Sequence, residues 1–507
     1  MEEKTRHLIR VLRSGSQTAQ DICAWLAVSR SALSRVMETC RNDYPGFLCQ
    51  IGAARATRYA WAMPEANNPD HPWRIPVYEM GLSGEEQLFG TLTVLHGDEY
   101  LFAPTGDPDQ RFPQGWLRAH YEGVPWFLQD ARPQGYLGRA LAQRLFLEHG
   151  NSDLRISDLP EHVHQWSDIQ VLQVISEVGN DLPGCFVFGE TALNRARQQE
   201  TLVISSSDRS LEYARRVHEM ISGHWIPHSS AGGEQPKFTA CVRGNSDRQV
   251  IVKFSPEDGE ETDRVAQRWR DLLLSEFHAL SVLAQHGFPS AMPDLLQGSD
   301  SRWFLESPRF DRVGERGRVP AFSLHTVILE SMGDLPSWWS SAERLCQNGV
   351  IDAESKEQIF LMDAYGHFIG NTDRHPGNLS FMLWQEPSDK FTLAPVYDML
   401  PMQYAPDTQG SMVPSFKEIT AYPANHDQIQ TARDLALLFW SAITQDLRIS
   451  PEFREMALSH AEALSESLEE EVLPNEAAEE VRSAARGSKE ADGIARQSHE
   501  TYARTDN

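Results

Sequence analysis

The chain has 507 residues, with 46 Lys and Arg against 72 Asp and Glu and a net charge of -26, long enough for two to four domains with full cores. Its six cysteines (Cys23, Cys40, Cys49, Cys185, Cys241, Cys346) form no CxxC pair and lie near no histidine at metal-ligand spacing, which argues against a zinc site or a secreted disulfide framework. The N-terminus, MEEKTRHLIRVLRSG, lacks the apolar stretch of a signal peptide, and no run approaches the roughly 18 apolar residues of a membrane span, so a cytoplasmic protein with no membrane partner is expected.

An acidic surface repels nucleic acid, but the charge is uneven: residues 1–62 hold nine Lys or Arg against five Asp or Glu. Within them, TAQDICAWLAVSRSALSRVM (18–37) places Ile22, Leu26, Val28, Leu33 and Val36 as apolar anchors, with Thr18 and Ser29 as N-caps of two short helices. The spacing predicts a helix-turn-helix whose second helix turns Arg30, Ser31, Ser34 and Arg35 away from the anchors, where base edges and phosphates would be met. FLCQIGAARATRYAWA (47–62) predicts two short strands around Gly52 to Ala56, with Arg55 and Arg58 as a basic wing. Residues 1–63 therefore read as a winged helix-turn-helix that binds DNA through residues 1–62; a small packing domain with solvated arginines is the alternative.

MPEANNPDHPWRIP (63–76) is rich in Pro and Asn and reads as a linker. EQLFGTLTVLHGDEYLFAP (86–104) alternates as a hairpin turning at Gly97 and Asp98, and ARPQGYLGRALAQRLFLEHG (131–150) has helical periodicity, so the class is α+β. The boundaries expected are 64–312 for a first region ending in a small lobe, 313–450 for a second lobe, and 451–507 for a helix or two fraying into a disordered tail with 14 acids and six bases.

Chemistry concentrates near HFIGNTDRHPGNLSFM (367–382). Leu361, Tyr365 and Phe368 recur at helical spacing before Gly370, while LSFMLW (379–384) and FTLAPVYD (391–398) read as a hairpin that returns Asp398 close to Asn378. An aspartate, Asp373, followed five residues later by Asn378 and then, after a hairpin, by Asp398, matches the protein-kinase arrangement of a base and two Mg²⁺ ligands. TDRHPGN alone would be an ordinary turn. Upstream, Lys253 interrupts the apolar strand RQVIVKF (248–254), and Glu276 lies on the apolar stripe of the helix 265–287 beside Leu273, Phe277, Leu280 and Ala284. A strand lysine paired with a helix glutamate is the ion pair by which kinases position ATP. HSSAGGEQPKFTA (228–240) replaces the usual G-x-G-x-x-G, with Ser229, Ser230, Gly232 and Gly233 letting backbone amides approach phosphate and Lys237 adding charge.

Taken together, SSAGGEQPK, VIVKF, Glu276, PRFDR (308–312), GNTDRHPGN and LAPVYD resemble the HipA family of serine/threonine kinases, the toxin halves of bacterial toxin-antitoxin pairs, over about residues 78–448. The resemblance implies a two-lobed, protein-kinase-like fold using ATP and Mg²⁺, with Asp373 as base, Asn378 and Asp398 as metal ligands and Lys253 on the phosphates. It implies that His375 and Tyr397 lie near the nucleotide and that Ser230, or the adjacent Ser229, is autophosphorylated. The family's hinge reads E-R-F-D-R, whereas ESPRFDR here offers Glu306 two residues early and Pro308 in its place, with Phe310 next along, so the adenine contact departs from the pattern. The fused DNA-binding module is similar to the subgroup that carries its own winged helix. The reading is an ATP-dependent serine/threonine protein kinase of HipA type, with DNA, a protein substrate such as a translation component, and an antitoxin as expected partners. Its rivals are a transcription regulator whose kinase-like domain only senses nucleotide, and a small-molecule phosphotransferase.

Overall fold

The computed structural model describes residues 2–106, 112–148, 159–198, 203–222, 235–244, 247–257, 264–331, 337–383, 390–407, 410–412, 419, 422 and 427–472. Four layers of structure follow one another along these residues.

The first is a trihelical unit with a small sheet: α1 (Glu2–Leu12), β1 (Gln17–Thr18), α2 (Ala19–Leu26), α3 (Arg30–Asp43), β2 (Leu48–Ile51) and β3 (Arg58–Trp61), the strands ordered β1-β3-β2. Both caps foreseen in the sequence form: Thr18 Oγ1 accepts from the Asp21 amide at 3.2 Å and Ser29 Oγ from the Ala32 amide at 3.3 Å. Ala27, in the left-handed region at φ 51°, makes the sharp turn between α2 and α3. Leu8, Leu12, Ile22, Leu26, Leu33 and Val36 close the core. The contribution of α1 was not foreseen.

The stretch expected to be a linker is instead an ordered hairpin, β4 (Pro64–Glu65) and β5 (Asn68–Pro72), leading directly into β6 (Arg74–Met80). With β7 (Glu86–Val94), β8 (Glu99–Pro104), β9 (His120–Glu122) and β10 (Phe186–Phe188) this makes a five-stranded sheet ordered β10-β6-β7-β8-β9. Helices α4 (Gly135–Glu148), α5 (Asp168–Val178) and α6 (Glu190–Gln198) accompany it. Gly97 (φ 86°) and Asp98 (φ 57°) turn β7 into β8 as expected, and a Cβ on Gly97 would come within 2.6 Å of Gly15 Cα, so glycine is required where the hairpin tip meets the first unit. That junction is also polar: the Ser16 amide donates to Glu99 Oε1 at 2.6 Å, and Glu99 Oε2 lies 2.6 Å from His120 Nε2.

The third layer is a second five-stranded sheet, ordered β11-β12-β13-β15-β14, from β11 (Val203–Ser205), β12 (Lys237–Arg243), β13 (Arg248–Phe254), β14 (Asp294–Gln297) and β15 (Trp303–Pro308). Strand alternation sends Phe238, Val250, Val252 and Phe304 to one face, against Tyr213 and Val217 of α7 (Arg209–Ile221). The other face takes α8 (Arg264–Gln285), whose Leu272, Leu273, Leu280 and Leu283 are buried. Residues 64–312, read from the sequence as a first region ending in a small lobe, contain two separate sheets.

A short ribbon, β16 (Arg312–Val313) with β17 (Gly317–Arg318), leads to the last, mostly helical lobe. It comprises β18 (Ala321–Ser323), α9 (Leu324–Ser331), α10 (Trp338–Gln347), α11 (Ala353–Phe368), β19 (Ser380–Met382), β20 (Thr392–Leu393), α12 (Gln428–Gln445) and α13 (Pro451–Val472). Phe360, Tyr365, Phe368, Phe439 and Trp440 centre its core, which is continuous with that of the first large sheet through Trp126 against Phe322 (ring centroids 4.9 Å apart) and Trp116 against Phe391 (5.3 Å). Mixed helix and sheet in two lobes around a cleft is a kinase-like architecture.

Candidate active site

The cleft lies where β12, β13 and α8 of the smaller lobe meet the β19–β20 hairpin and the loop after α11. Lys237 and Lys253 are direct cross-strand partners, so both side chains leave the same face of the sheet, and both are buried. Lys253 Nζ donates to Glu276 Oε1 and Oε2 at 2.6 and 2.8 Å and also pairs with Asp398. Burial works against the lysine's charge, but Asp398 and Glu276 overcome it and hold the ammonium above its ordinary pKa. Asp398 is likewise kept ionised: burial opposes the carboxylate, and Lys253 and Lys237 more than offset it. Glu276 moves the other way, its pKa raised because burial outweighs Lys253. The lysine charge and the Asp398 carboxylate are therefore the robust features of this triad.

The loop holding Asp373 is built by α11 ending at Gly370 (φ 74°), where a Cβ would fall 2.5 Å from Gln403 Nε2. The second strand of the hairpin, β20, ends at Leu393 rather than running to Asp398 as the sequence suggested, and Asn371 ties the loop to the segment that follows β20: its Oδ1 accepts from the Asp373 amide at 3.0 Å and its Nδ2 donates to the Asp398 carbonyl at 3.3 Å. Asn378 Nδ2 donates to the Asp373 carbonyl at 2.9 Å, which leaves Oδ1 as its electron-pair donor. Asp398 sits at φ 51°, a strained setting for a non-glycine residue that is sustained only by surrounding contacts. Asp373 itself is exposed at the rim. Asp373 and Asp398 are thus connected through Asn371, which the sequence reading did not single out, and Asn378 joins Asp373 directly.

Tyr397 stacks on Phe310 (centroids 5.7 Å apart, 29° between planes) and donates to the Gly377 carbonyl at 2.9 Å, with Ser380 Oγ 2.7 Å away. His375 is exposed, accepts from the Gly377 amide through Nδ1 at 3.0 Å, and has its carbonyl held by Trp338 Nε1 at 3.0 Å. Arg374 pairs with buried Asp363 of α11 at 2.9 Å, an acid that also accepts from the Trp339 amide and the Tyr422 hydroxyl. Asp363 was readable by the same sign as Glu276, a charge within an apolar helix. Trp338 carried no such sign.

Two expectations need correction. Glu306 pairs with Val252, so its side chain leaves the sheet on the α7 face, opposite to Lys253. There it is fully buried and accepts from Tyr213 OH at 2.7 Å, Arg209 Nη1 at 3.0 Å and Arg248 Nη2 at 2.6 Å, so its carboxylate does not reach the cleft. Arg58 does not project from a wing: its Nε and Nη2 donate to Ser16 Oγ and the Ser16 carbonyl, both at 2.8 Å. Arg30, Ser31, Ser34 and Arg35 do share an exposed face of α3. Ser229, Ser230, Gly232 and Gly233 lie outside the described residues, as does the Arg55 side chain.

Among the described residues no three His, Cys, Asp or Glu side chains cluster as a metal centre. A nucleotide-bound Mg²⁺ needs only one or two protein oxygens besides phosphate and water, and the Asp398 carboxylate with Asn378 Oδ1 meets that requirement.

The chain is 32% identical over 469 residues to the toxin YjjJ of Escherichia coli (strain K12), covering 92% of this chain and 98% of that one. It belongs to the YjjJ-like toxin family. The family model of the YjjJ-like toxin middle domain matches residues 71–197, the first large sheet with its helices, and that of the HipA-like C-terminal domain matches residues 229–483, both lobes of the cleft. Among solved structures, the chain is similar to HipA of Shewanella oneidensis MR-1, determined with HipB and operator DNA (15% identity, 76% of this chain and 95% of that one, TM-score 0.44). It is also similar to the Helicobacter pylori kinase CtkA (14% identity, 46% and 89%, TM-score 0.32). The YjjJ-like middle domain thus stands between an N-terminal unit outside both family models and a HipA-like C-terminal domain. No helix among the described residues is long and apolar enough to cross a membrane.

Proposed function

We propose that this YjjJ-like toxin is an ATP- and Mg²⁺-dependent serine/threonine protein kinase, and that its winged helix binds duplex DNA. The observation that carries the reading is Lys253, held at once by Glu276 and Asp398 beside its cross-strand partner Lys237, with Asn371 joining Asp398 to the Asp373 loop. Such a lysine is poised for the nucleotide phosphates, and Asp373, exposed at the rim, faces solvent where a hydroxyl from a second protein would arrive. Asp373 accepts the hydroxyl proton as the oxygen attacks the γ-phosphorus, the bond from that phosphorus to the β–γ bridging oxygen breaks and ADP leaves, while the Asn378–Asp373 and Asn371–Asp373 hydrogen bonds keep the loop in place during transfer. Lys253 and Lys237 meet charge on the phosphate oxygens. Asp398 and Asn378 would hold a nucleotide-bound Mg²⁺, which would supply charge neutralisation across the phosphates. Phe310 and Tyr397 offer an aromatic wall for the base. Ser230 or Ser229, in the sequence preceding Lys237, is the expected site of autophosphorylation.

The DNA reading rests on the exposed Arg30, Ser31, Ser34 and Arg35 of α3 and on the local excess of positive charge. The HipA relative assembles with HipB and operator DNA; an antitoxin partner and cytoplasmic action are the corresponding expectations here. Incubating the full chain with γ-labelled ATP, Mg²⁺ and cell extract, followed by phosphoamino-acid analysis, tests the assignment. Labelled phosphoserine or phosphothreonine that depends on Asp373 is expected, and ATP binding with no transfer to any protein would favour a nucleotide sensor.

A further inference from the structure

The helix that carries Glu276 is held on one face chiefly by a short segment of the helical lobe, the turn joining α12 to α13, with Tyr404 beside it. On α8, Arg268, Asp271 and His278 lie three and seven residues apart and so share a face. Asp271 Oδ1 accepts from the Ser450 amide at 2.9 Å and Oδ2 from Ser450 Oγ at 2.6 Å, and the same hydroxyl accepts from the Phe453 amide at 3.3 Å as the cap of α13. His278 Nε2 lies 2.7 Å from Asp446 Oδ2, and Asp446 also accepts from Arg448 Nε at 2.8 Å and Nη2 at 2.7 Å. Arg448 in turn lies over the Trp303 ring of β15, 5.3 Å from its centre. Arg268 Nη1 donates to the Tyr404 carbonyl at 3.2 Å, with the guanidinium 5.2 Å from the centre of the Phe453 ring.

None of these side chains touches Lys253, Asp398 or the Asp373 loop, yet Glu276 lies between Asp271 and His278 on the helix they hold. Rotating or sliding α8 enough to withdraw Glu276 would strip partners from Arg268 and Asp271, which are buried. The contacts are spread over about three turns, 268 to 278, so they fix both the height and the rotation of the helix.

We propose that the α12–α13 turn, through Asp446 and Ser450, sets the register of α8 so that Glu276 meets Lys253, making these two positioning residues for phosphoryl transfer. The proposal rests on the kinase reading above. A turn that merely glued the lobes together would contribute independently of Glu276, whereas a turn acting through Glu276 has nothing left to position once that carboxylate is gone.

The test is a double-mutant cycle in the full chain, with single-turnover phosphate transfer and hydrogen exchange as readouts. Ser450→Ala and Asp446→Ala are each expected to slow transfer about tenfold in the natural background, but less than about twofold alongside Glu276→Gln. Equal factors in the two backgrounds would overturn the proposal. Ser450→Ala removes a single hydroxyl, so it carries the test if Asp446→Ala fails to fold. Amides of 272–279 should exchange faster in the variants while those of α2 and α3 do not, and unchanged exchange in α8 also overturns the clamp. Absence of transfer from the unsubstituted chain would remove the kinase reading instead, with the exchange data still deciding whether the turn holds α8.

Discussion

Replacing Lys253 by methionine separates the electrostatic role of the lysine from its bulk. The substitution leaves two carboxylates without their cation, and they are not equivalent: Asp398 is 20% exposed and can draw in water, whereas Glu276 is 1% exposed and cannot. Breaking a buried pair by removing one partner costs about 3–5 kcal/mol, and here that cost falls mainly on Glu276. At roughly 2–4 °C per kcal/mol, the transition containing the smaller lobe should drop by roughly 6–20 °C. Glu276 can escape the cost by protonating. Its pKa is already raised by burial, against Lys253, and losing the lysine raises it further. A raised folded pKa means that the folded state binds the extra proton, so the Lys253→Met deficit should be largest at alkaline pH and shrink as pH falls towards the ordinary carboxylate range. Adding Glu276→Gln should restore most of the lost stability while leaving phosphate transfer abolished. Denaturant titrations of the four proteins at several pH values provide the check. A Lys253→Met deficit below about 1 kcal/mol, or one that Glu276→Gln does not relieve, would refute the reasoning.

His460 is buried between the Trp440 ring (centroids 4.2 Å apart) and Tyr404 OH (2.6 Å), and burial pushes its pKa down to about 4. Because the unfolded imidazole takes a proton first, stability should fall between about pH 6.5 and pH 4 by about 3 kcal/mol, a slope that His460→Gln should flatten in denaturant titrations. In gel-shift titrations of the full chain on duplex DNA, Arg30→Ala with Arg35→Ala should weaken binding and reduce the salt slope by about 2, whereas Arg58→Ala should lower stability by about 1–3 kcal/mol through Ser16. Mass spectrometry of protein expressed with Mg²⁺ and ATP present should find phosphate on Ser230 or Ser229 in the natural chain and none in Asp373→Asn.

What could be read in advance followed from periodicity. Lys253 and Glu276 stood out because each places a charge on an apolar stripe, a conflict visible within one strand or one helix. Thr18 and Ser29 were legible because a cap acts on amides three residues away. Where partners come from afar, the sequence misled or was silent. Arg58 looks like any exposed strand arginine until folding brings Ser16 beside it from 42 residues away. Glu306 belongs to a motif read as a hinge, yet strand alternation sends it to the face opposite Lys253, where Arg209 waits from 97 residues upstream. Asn371 was hidden by its own ordinariness, since asparagine after a helix-ending glycine is common turn chemistry. The Asp446 and Ser450 contacts with α8 span 168 and 179 residues and leave no local trace.

The most direct test of the central claim, that Asp373 and Asp398 serve one phosphoryl-transfer site in different roles, is calorimetric titration of Mg·ATP paired with single-turnover transfer on the natural chain, Asp373→Asn and Asp398→Asn. Asp373→Asn should bind Mg·ATP nearly as well as the natural chain while transferring about 10² to 10⁴ times more slowly, the loss typical of an absent general base. Asp398→Asn should lose Mg·ATP affinity along with activity. Transfer that survives both substitutions, or affinity lost equally in both, would contradict the assignment.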